Sequence, residues 1–359
     1  MANRKDRWLS APGGFFYFTV GSAVSRDYSS LASFIAAFDN TLINIPGSTV
    51  VVEMFNDTAS DQLVVETGAL AIACPSNVKE FSLTVSDDDW HKGDASKGIV
   101  IRRNTSGGEL LTIDGSTTSS FVVERLIFDG NNLVTNNGAG IVKVDGSVPS
   151  SWIGKGVVIQ SCMVFGGNGT YSSGRYTRGI VASSRPCSVR NCVIGNILSS
   201  GSSSSSSAYG IGGDDQLKVD NCLIFGVDFS NGTGTSYGVT NANHSTLGWC
   251  RNTIIMDING DCLNSSVQAT NVITDDATGT SQSTLAAEID DIDAYSFSLA
   301  AGATAENSGY SSVAQYEDIT GKLRLKSSAH DAGPFNNLTG YETESGGGSG
   351  YSLHPLAYN

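Results

Sequence analysis

The residues best suited to chemistry are carboxylates near the middle of the chain. Asp214 and Asp215 are adjacent, Asp220 follows closely, and Arg178 and Arg185 precede them. Two carboxylates facing one sugar unit can hydrolyse a glycosidic bond, and carboxylates that hold Ca²⁺ beside a basic side chain can support elimination. Most other acidic residues fall in loops at inconsistent positions of the repeat described below. We therefore predict no catalytic residues, and these three aspartates are the candidates if the chain is an enzyme.

Histidine and cysteine form no metal-binding pattern in the sequence. The seven cysteines are spread over a long chain without a CxxC pair, which predicts buried, reduced thiols rather than zinc ligands or a disulfide framework. The four histidines are scattered without ligand spacing, at His91, His244, His330 and His354. We predict neither a metal nor a cofactor.

The overall charge argues against one class of partner. The 359 residues carry a formal charge of −14 with a pI near 4.6, whereas nucleic-acid binding needs concentrated Lys and Arg. No apolar run approaches membrane-spanning length, and residues 1–20 lack the pattern of a signal peptide. We predict a protein made in the cytoplasm, with no nucleic-acid or membrane partner.

An internal repeat supplies the elements that must position these residues. Segments with a shared pattern of apolar, variable, small polar, small apolar, variable and apolar residues lie at 123–128, 159–164, 189–194, 219–224, 250–255 and 269–274. A second motif, most often Gly before Ile or Val, lies at 140–142, 179–181, 210–211, 238–239 and 261–263. The first motifs begin 36, 30, 30, 31 and 19 residues apart. Regular motifs at irregular spacing predict an all-β parallel β-helix, with loops inserted between short stacked strands.

Stacked coils place equivalent residues in ladders about 4.8 Å apart. A polar ladder at a bend is predicted for Asn191, Asn221, Asn252 and Asn271. A second ladder, filling a narrow corner beside it, is predicted for Cys162, Cys192 and Cys222, with Thr253 and Val272 in later coils. An outward ladder of alternating charge, of little energetic worth, is predicted for Arg190, Asp220 and Arg251.

The first coil needs a cap, because a stack of coils exposes unpaired strand edges at both ends. Residues 29–40 place apolar side chains at helical spacing, which predicts a short capping helix with Asp27 or Ser29 as its N-cap. Early strands are predicted at 50–53, 98–101 and 110–113.

Segments between the two motifs are rich in Gly, Ser, Asn and Thr, at 166–177, 195–208 and 226–236. Their common place in the repeat predicts loops on one side of the stack, although a flexible linker is the alternative for the serine run. The tyrosines on this loop face are candidate glycan-binding residues: Tyr171, Tyr176, Tyr209 and Tyr237. Packing against the neighbouring coil explains Tyr209 and Tyr237 equally well.

Both ends of the chain are predicted to attach it to other proteins. We expect an attachment arm at 1–26, the β-helix at 27–340, and a Gly-rich linker with a docking tail at 341–359. The candidate assembly residues are Arg4, Lys5, Arg7, Trp8, Tyr351, Leu353, Leu356 and Tyr358. Residues 15–20 fit the first strand of the stack equally well.

The repeat resembles that of right-handed parallel β-helix proteins of the pectin-lyase-like superfamily. The resemblance covers residues 27–337 and rests on the Asn-Cys units and on two closing segments, Asp-Ile-Thr-Gly at 318–321 and Asp-Ala-Gly-Pro-Phe at 331–335. The second closing segment is similar to the Asp-x-Gly-Ala ending of many such proteins and departs from it at Pro334. The superfamily includes polysaccharide lyases and hydrolases, which implies, as the alternative function, a tailspike-type enzyme that cleaves host surface glycan.

The segment at 25–32, Ser-Arg-Asp-Tyr-Ser-Ser-Leu-Ala, is similar to the opening of β-helix proteins found in bacteriophage virions. This resemblance implies a non-enzymatic structural protein at the virion surface, made in the host cytoplasm. Such a protein is a capsid decoration or a tail spike or fibre component. The expected partners are other virion proteins, further copies of the chain in a homotrimer, and a host surface glycan.

Overall fold

The computed structural model describes residues 13–38, 42–114, 120–134, 140–146, 156–169, 176–183, 185–200, 207–213, 217–230, 234–241, 248–290, 297–309, 318–321 and 331–335. In chain order the elements are β1 (Phe15–Val20), α1 (Leu31–Ala37), β2 (Ser48–Met54), β3 (Gln62–Thr67), β4 (Leu70–Ala73), β5 (Val78–Val85), β6 (Gly98–Arg103), β7 (Leu111–Asp114), β8 (Ser120–Glu124), β9 (Ile127–Val134), β10 (Gly140–Asp145), β11 (Val157–Gln160), β12 (Met163–Gly169), β13 (Tyr176–Ala182), β14 (Cys187–Arg190), β15 (Val193–Ser199), β16 (Ser207–Gly213), β17 (Leu217–Asp220), β18 (Leu223–Phe229), β19 (Ser236–Asn241), β20 (Gly248–Ile258), β21 (Gly260–Leu263), β22 (Val267–Thr274), β23 (Ser281–Gln282) and α2 (Leu285–Glu288).

The strands stack into three parallel faces, one strand of each face per coil. Face 1 contains β1, β2, β5, β8, β11, β14, β17 and the first parts of β20 and β22. Face 2 contains β3, β6, β9, β12, β15, β18, the second parts of β20 and β22, and β23. Face 3 contains β4, β7, β10, β13, β16, β19 and β21. The chain is a right-handed parallel β-helix, as predicted. The early strands expected at 50–53 and 98–101 are confirmed within β2 and β6, and the strand expected at 110–113 is confirmed as β7, which lies one residue later.

A single left-handed residue makes the bend between face 1 and face 2. Its backbone φ is 48° at Asn191, 53° at Asn221, 49° at Asn252 and 51° at Asn271. Asn tolerates this region better than most residues because its short polar side chain bonds locally. The predicted Asn ladder at a bend is therefore confirmed, and backbone conformation is the reason for Asn at these positions.

The cysteine ladder fills the corner beside this bend. Cys162, Cys192 and Cys222 are fully buried, and the Sγ of each lies 3.1 to 3.6 Å from two backbone carbonyl oxygens, either of which can accept its single S–H. All seven cysteines of the chain are buried. Burial raises the pKa of Cys187 to about 12, so its thiol stays protonated and is a poor nucleophile at neutral pH.

The glycine of the second motif lies where adjacent coils come closest. A Cβ on Gly179 would lie 2.7 Å from Ile194 Cγ2, and a Cβ on Gly210 would lie 2.5 Å from Ile224 Cγ2. In each case the isoleucine belongs to the first motif of the next coil. The two motifs thus fit one another across successive coils, which explains why they recur together.

Helix α1 closes the first coil, but its start differs from the prediction. Ser30 is the N-cap: its Oγ accepts the backbone N–H of Ser33, and the Ser33 hydroxyl accepts the backbone N–H of Ser30. Asp27 instead accepts hydrogen bonds from Thr19, at the end of β1. The expected N-caps Asp27 and Ser29 were wrong because this reciprocal pair satisfies the helix start.

Residues 15–20 form β1, which extends face 1 by one strand beyond β2. The strand interpretation of this segment is therefore confirmed. In the described part of the chain, neither helix has the length and apolar character needed to cross a membrane.

Two corrections concern outward-facing positions. The segments expected to be loops at 166–177, 195–208 and 226–236 begin as strand, since β12, β15 and β18 run to Gly169, Ser199 and Phe229. Asp220, expected in an exposed charge ladder, is 1% exposed and binds Arg251. Burial behind the guanidinium group of Arg251 converts this position from a solvated charge into part of a shielded ion pair.

A second apolar core lies outside the β-helix, on the outer side of face 2. An unbroken ladder of apolar side chains points away from the interior there: Val64, Val100, Ile127, Met163, Val193, Leu223, Ile254 and Ile273. The C-terminal segment, defined as the described residues of 285–335, covers this ladder with apolar side chains of its own: Ile289, Phe297, Leu299, Ala303, Ala305, Ile319, Ala332 and Phe335.

The two closing segments seen in the sequence fasten this cover. The backbone N–H of Gly333 donates to the carbonyl of Asn252 at 2.7 Å, and the N–H of Ile319 donates to the carbonyl of Pro334 at 2.8 Å. Asp331 is 1% exposed and accepts the backbone N–H of Asn307. The C-terminal segment is thereby tied to the stack and to itself.

Candidate functional site

Several predicted site residues lie outside the described part of the chain. These are the assembly candidates Arg4, Lys5, Arg7, Trp8, Tyr351, Leu353, Leu356 and Tyr358, the carboxylates Asp214 and Asp215, and Tyr171. Their roles stay predictions.

Asp220 is the described member of the candidate catalytic group, at the end of β17. Its two carboxylate oxygens accept hydrogen bonds from Arg251 Nε at 2.7 Å and Nη2 at 2.9 Å. Such a bidentate pair is among the strongest side-chain interactions and occupies both oxygens. A structural role therefore accounts for Asp220.

Three of the predicted tyrosines come together on the outer side of face 3. The ring centroids of Tyr176 and Tyr209 are 5.2 Å apart and nearly parallel, and those of Tyr209 and Tyr237 are 5.8 Å apart. Tyr209 lies opposite Tyr237 in the β16–β19 pairing, one residue before the motif glycine in each strand. We call Tyr176, Arg178, Tyr209, Tyr237 and Asp261 the tyrosine face.

The stacking decides how these rings can be used. Tyr209 is flanked by a ring on each side, so its faces are taken within the ladder, while Tyr176 is 39% exposed. Burial raises the pKa of Tyr209, which keeps its hydroxyl protonated as a donor. A ligand can therefore contact the ring edges and the hydroxyl groups of the stacked tyrosines.

Arg178, which the sequence marks only as a basic residue that precedes the candidate aspartates, is the cation of the tyrosine face. Its guanidinium carbon lies 5.0 Å from the Tyr176 ring centroid and 5.6 Å from that of Tyr209. A Cβ on Gly212 would lie 3.2 Å from Arg178 Cδ, so the absent side chain of Gly212 leaves room for the arginine. The available signal was its position immediately before the motif glycine, which Arg178 shares with Tyr209 and Tyr237.

A polar groove of about 420 Å³ lies at the outer edge of face 2. Its lining includes Asp228, Asp257 and Asp275, which the sequence reasoning missed because carboxylates do not recur at the equivalent positions of other coils, as Leu198 opposite Asp228 shows. Asn259 Nδ2 donates to Asp228 at 2.6 Å, and the backbone N–H of Asp257 donates to Asp275 at 2.6 Å. These carboxylates take part in local hydrogen bonds that hold the last coils.

A second groove, of about 460 Å³, is lined by residues 56–61 and by the loop that contains His91. His91 is fully buried: its Nε2–H donates to the carbonyl of Ser161 at 2.8 Å, and its Nδ1 accepts the backbone N–H of Gly93 at 3.0 Å. Burial lowers the pKa of His91 to about 4, and nearby Arg125 adds to this effect. His91 is a neutral structural residue at neutral pH.

Within the described residues, no group of three or more His, Cys, Asp or Glu side chains is arranged to hold a metal ion.

Comparisons with known proteins give a fold-level likeness. No protein-family model and no curated protein matches this chain. One similar solved structure is titled "Crystal structure of pectate lyase Pel9A"; it is 13% identical, with 91% of this chain and 97% of that chain covered and a TM-score of 0.32. At that identity and score the likeness carries no argument about activity, and the β-helix is established by the strand pairing described above.

Proposed function

We propose that this chain is a non-enzymatic structural protein of a bacteriophage virion, a β-helical capsid decoration or tail spike or fibre component. The observation that carries the proposal is the double burial of face 2, which has the β-helix interior on one side and the C-terminal segment on the other. Such packing stiffens the stack, because each coil is held by its neighbours and by a segment that crosses several of them. Mechanical rigidity is what an external virion part requires.

The opening segment, whose resemblance suggested a virion, has defined contacts. Arg26 forms an ion pair with Asp57 at 2.5 Å and lies over the Phe55 ring, with its guanidinium carbon 3.5 Å from the centroid. The Tyr28 ring packs edge-on against Phe34 of helix α1. These contacts close the first coil and support a segment that joins the stack to what precedes it.

Mass spectrometry and cryo-electron microscopy of gradient-purified bacteriophage particles test this proposal. We expect the chain at a fixed copy number, with density for residues 1–26 and 341–359 in contact with other virion proteins. Three-fold density would support the homotrimer. Absence of the chain from purified particles would refute the proposal.

The alternative is a tailspike-type polysaccharide lyase or hydrolase, favoured by one observation, the groove that contains Asp228, Asp257 and Asp275. Incubation of the purified chain with host surface polysaccharide, followed by reducing-end and unsaturated-product assays, distinguishes the two functions. We expect no product. Cleavage that is lost on Asp228→Asn or Asp257→Asn but kept on Asp129→Asn, an Asp of a half-buried ion pair on another coil, would establish the enzyme.

A further inference from the structure

We propose that the tyrosine face binds a carboxylate-bearing oligosaccharide, with Arg178 holding the carboxylate. This inference rests on the proposed function, since it gives a ligand class to an outer surface of the same rod.

The first argument is the unusual state of Arg178. Four other arginines, Arg26, Arg102, Arg125 and Arg251, each lie 2.5 to 2.7 Å from a carboxylate oxygen. Arg103 and Arg190 donate instead to a backbone carbonyl and to a hydroxyl group. Within the described residues Arg178 has no carboxylate partner, and its Nε is shielded from water with no hydrogen-bond acceptor. Because the Nε is shielded, a ligand meets this partly exposed side chain at its terminal Nη groups. The positive charge, which no carboxylate of the described residues offsets, favours an anion there.

The second argument is preorganisation. The arginine side chain packs over Gly212 and against the Tyr176 and Tyr209 rings, and these contacts restrict it before any ligand arrives. A planar guanidinium group fixed in this way presents a fork that matches a carboxylate. Less side-chain entropy is lost on binding when the rotamer is already held.

The third argument is the shape of the tyrosine face, which decides between ligand classes. From Arg178 through Tyr209 and Tyr237 to Asp261 the face spans three strand spacings, about 14 Å. That is too small for a stable protein partner, which buries about 800 Å² on each side. Side chains on one side of an extended peptide lie about 6.8 Å apart, whereas equivalent residues of neighbouring strands on this face lie about 4.8 Å apart. Linked pyranose rings repeat at a length close to the strand spacing.

Charge fixes the direction of the ligand. Arg178 lies at one end of the face, and the exposed Asp261 lies at the other, opposite Tyr237. A carboxylate therefore belongs at the Arg178 end, and neutral hydroxyl groups belong near Asp261. A ligand with carboxylates at every unit would be repelled at the Asp261 end, so a sparsely charged saccharide fits best.

Isothermal titration of the full chain with three acidic probes, sialyllactose, tetragalacturonate and a mannuronate tetramer, tests this inference, with cellotetraose as the neutral probe. We expect sialyllactose to bind most tightly. Arg178→Gln should weaken its binding about tenfold or more, because a hydrogen bond to a charged group is lost. Arg178→Lys should have an intermediate effect.

Arg190→Gln is the matched control, since it removes the same charge from face 1 on the next coil, and it should leave affinity unchanged. Thermal unfolding of each variant separates lost binding from lost folding. The inference fails if no acidic probe binds, if Arg178→Gln binds as well as the parent chain, or if cellotetraose binds equally well. A concentration-dependent dimer that Arg178→Gln abolishes would assign the face to a second copy instead. These titrations do not affect the mass spectrometry and cryo-electron microscopy of purified particles. Failure of the ligand proposal can therefore be told apart from failure of the virion proposal.

Discussion

The outer sides of face 2 and face 3 differ although the same coils build both. On face 2 the outward ladder is apolar in every coil from Val64 to Ile273, and the chain covers it with its own C-terminal segment. On face 3 the outward ladder carries Arg178, Tyr209, Tyr237 and Asp261, and it stays partly exposed. One outer surface therefore stabilises the rod, while the other is available to a ligand.

The difference shows where a β-helix can vary. Interior positions are constrained by neighbouring coils, as the contacts of Gly179 and Gly210 with isoleucine side chains illustrate. Outward positions are constrained by what covers them, which on face 2 is the C-terminal segment, whereas the described residues of the tyrosine face stay partly exposed. Substitutions on the two faces should consequently have unequal effects on stability.

The largest effect is expected for Phe225→Ala on face 2. The Phe225 ring is 4% exposed, lies over Gly195, and packs 5.6 Å from Phe297 of the C-terminal segment. Loss of a buried phenylalanine side chain costs about 3–5 kcal/mol of unfolding free energy. Tyr176→Ala on face 3 should cost about 1 kcal/mol, the worth of one aromatic pair. Urea unfolding measures both, and equal losses would show that face 2 is not a core.

The next largest effect concerns pH and the loop that contains His91. The pKa of His91 is about 4 in the folded chain and about 6.5 when unfolded. Above pH 6.5 the neutral His91 side chain makes its full contribution to the free energy of unfolding. That contribution, about 3 kcal/mol in all, is lost as the pH falls towards 4. Adjacent Trp90 lies near Gly321 of the C-terminal segment, so acid should loosen face 2 first. NMR titration of the imidazole checks this, and a pKa near 6.5 would contradict it.

A smaller effect is expected for Gly210→Ala, between face 2 and face 3. The new Cβ would lie 2.5 Å from Ile224 Cγ2 and 2.7 Å from the carbonyl oxygen of Gly238. Overpacking of this kind costs about 1–3 kcal/mol. Gly68→Ala is the control, because its Cβ would meet nothing closer than 3.8 Å. Thermal unfolding compares the two, and an unchanged midpoint for Gly210→Ala would overturn the proposed fit between motifs.

Features that recur in each coil could be predicted from the sequence, whereas features that occur once could not. Asn191 and Gly179 recur in phase, so the bend and the close approach could be anticipated. The C-terminal cover could not, because it pairs a non-repeating segment with residues far away in the sequence. Met163 and Val164 are both apolar, and the pattern does not tell which one faces outward.

The site was predicted in part for the same reason. Tyr209 and Tyr237 share a phase before glycine, and their stacking follows from it. Arg178 stood out less because its role depends on Tyr176 two residues earlier and on Gly212 in the next coil. The burial of Asp220 depends on Arg251 and was invisible to a pattern of alternating charge.

Hydrogen–deuterium exchange of the full chain tests the contrast between the two faces most directly. The N–H of Gly333 bonds to Asn252 in the stack, and the N–H of Ala332 bonds to Ala305 within the C-terminal segment. We expect peptides covering 303–307 and 331–335 to be protected nearly as well as those covering β18 and β20. Rapid exchange of both peptides while the strands stay protected would show that the C-terminal segment does not cover face 2, and would contradict the account.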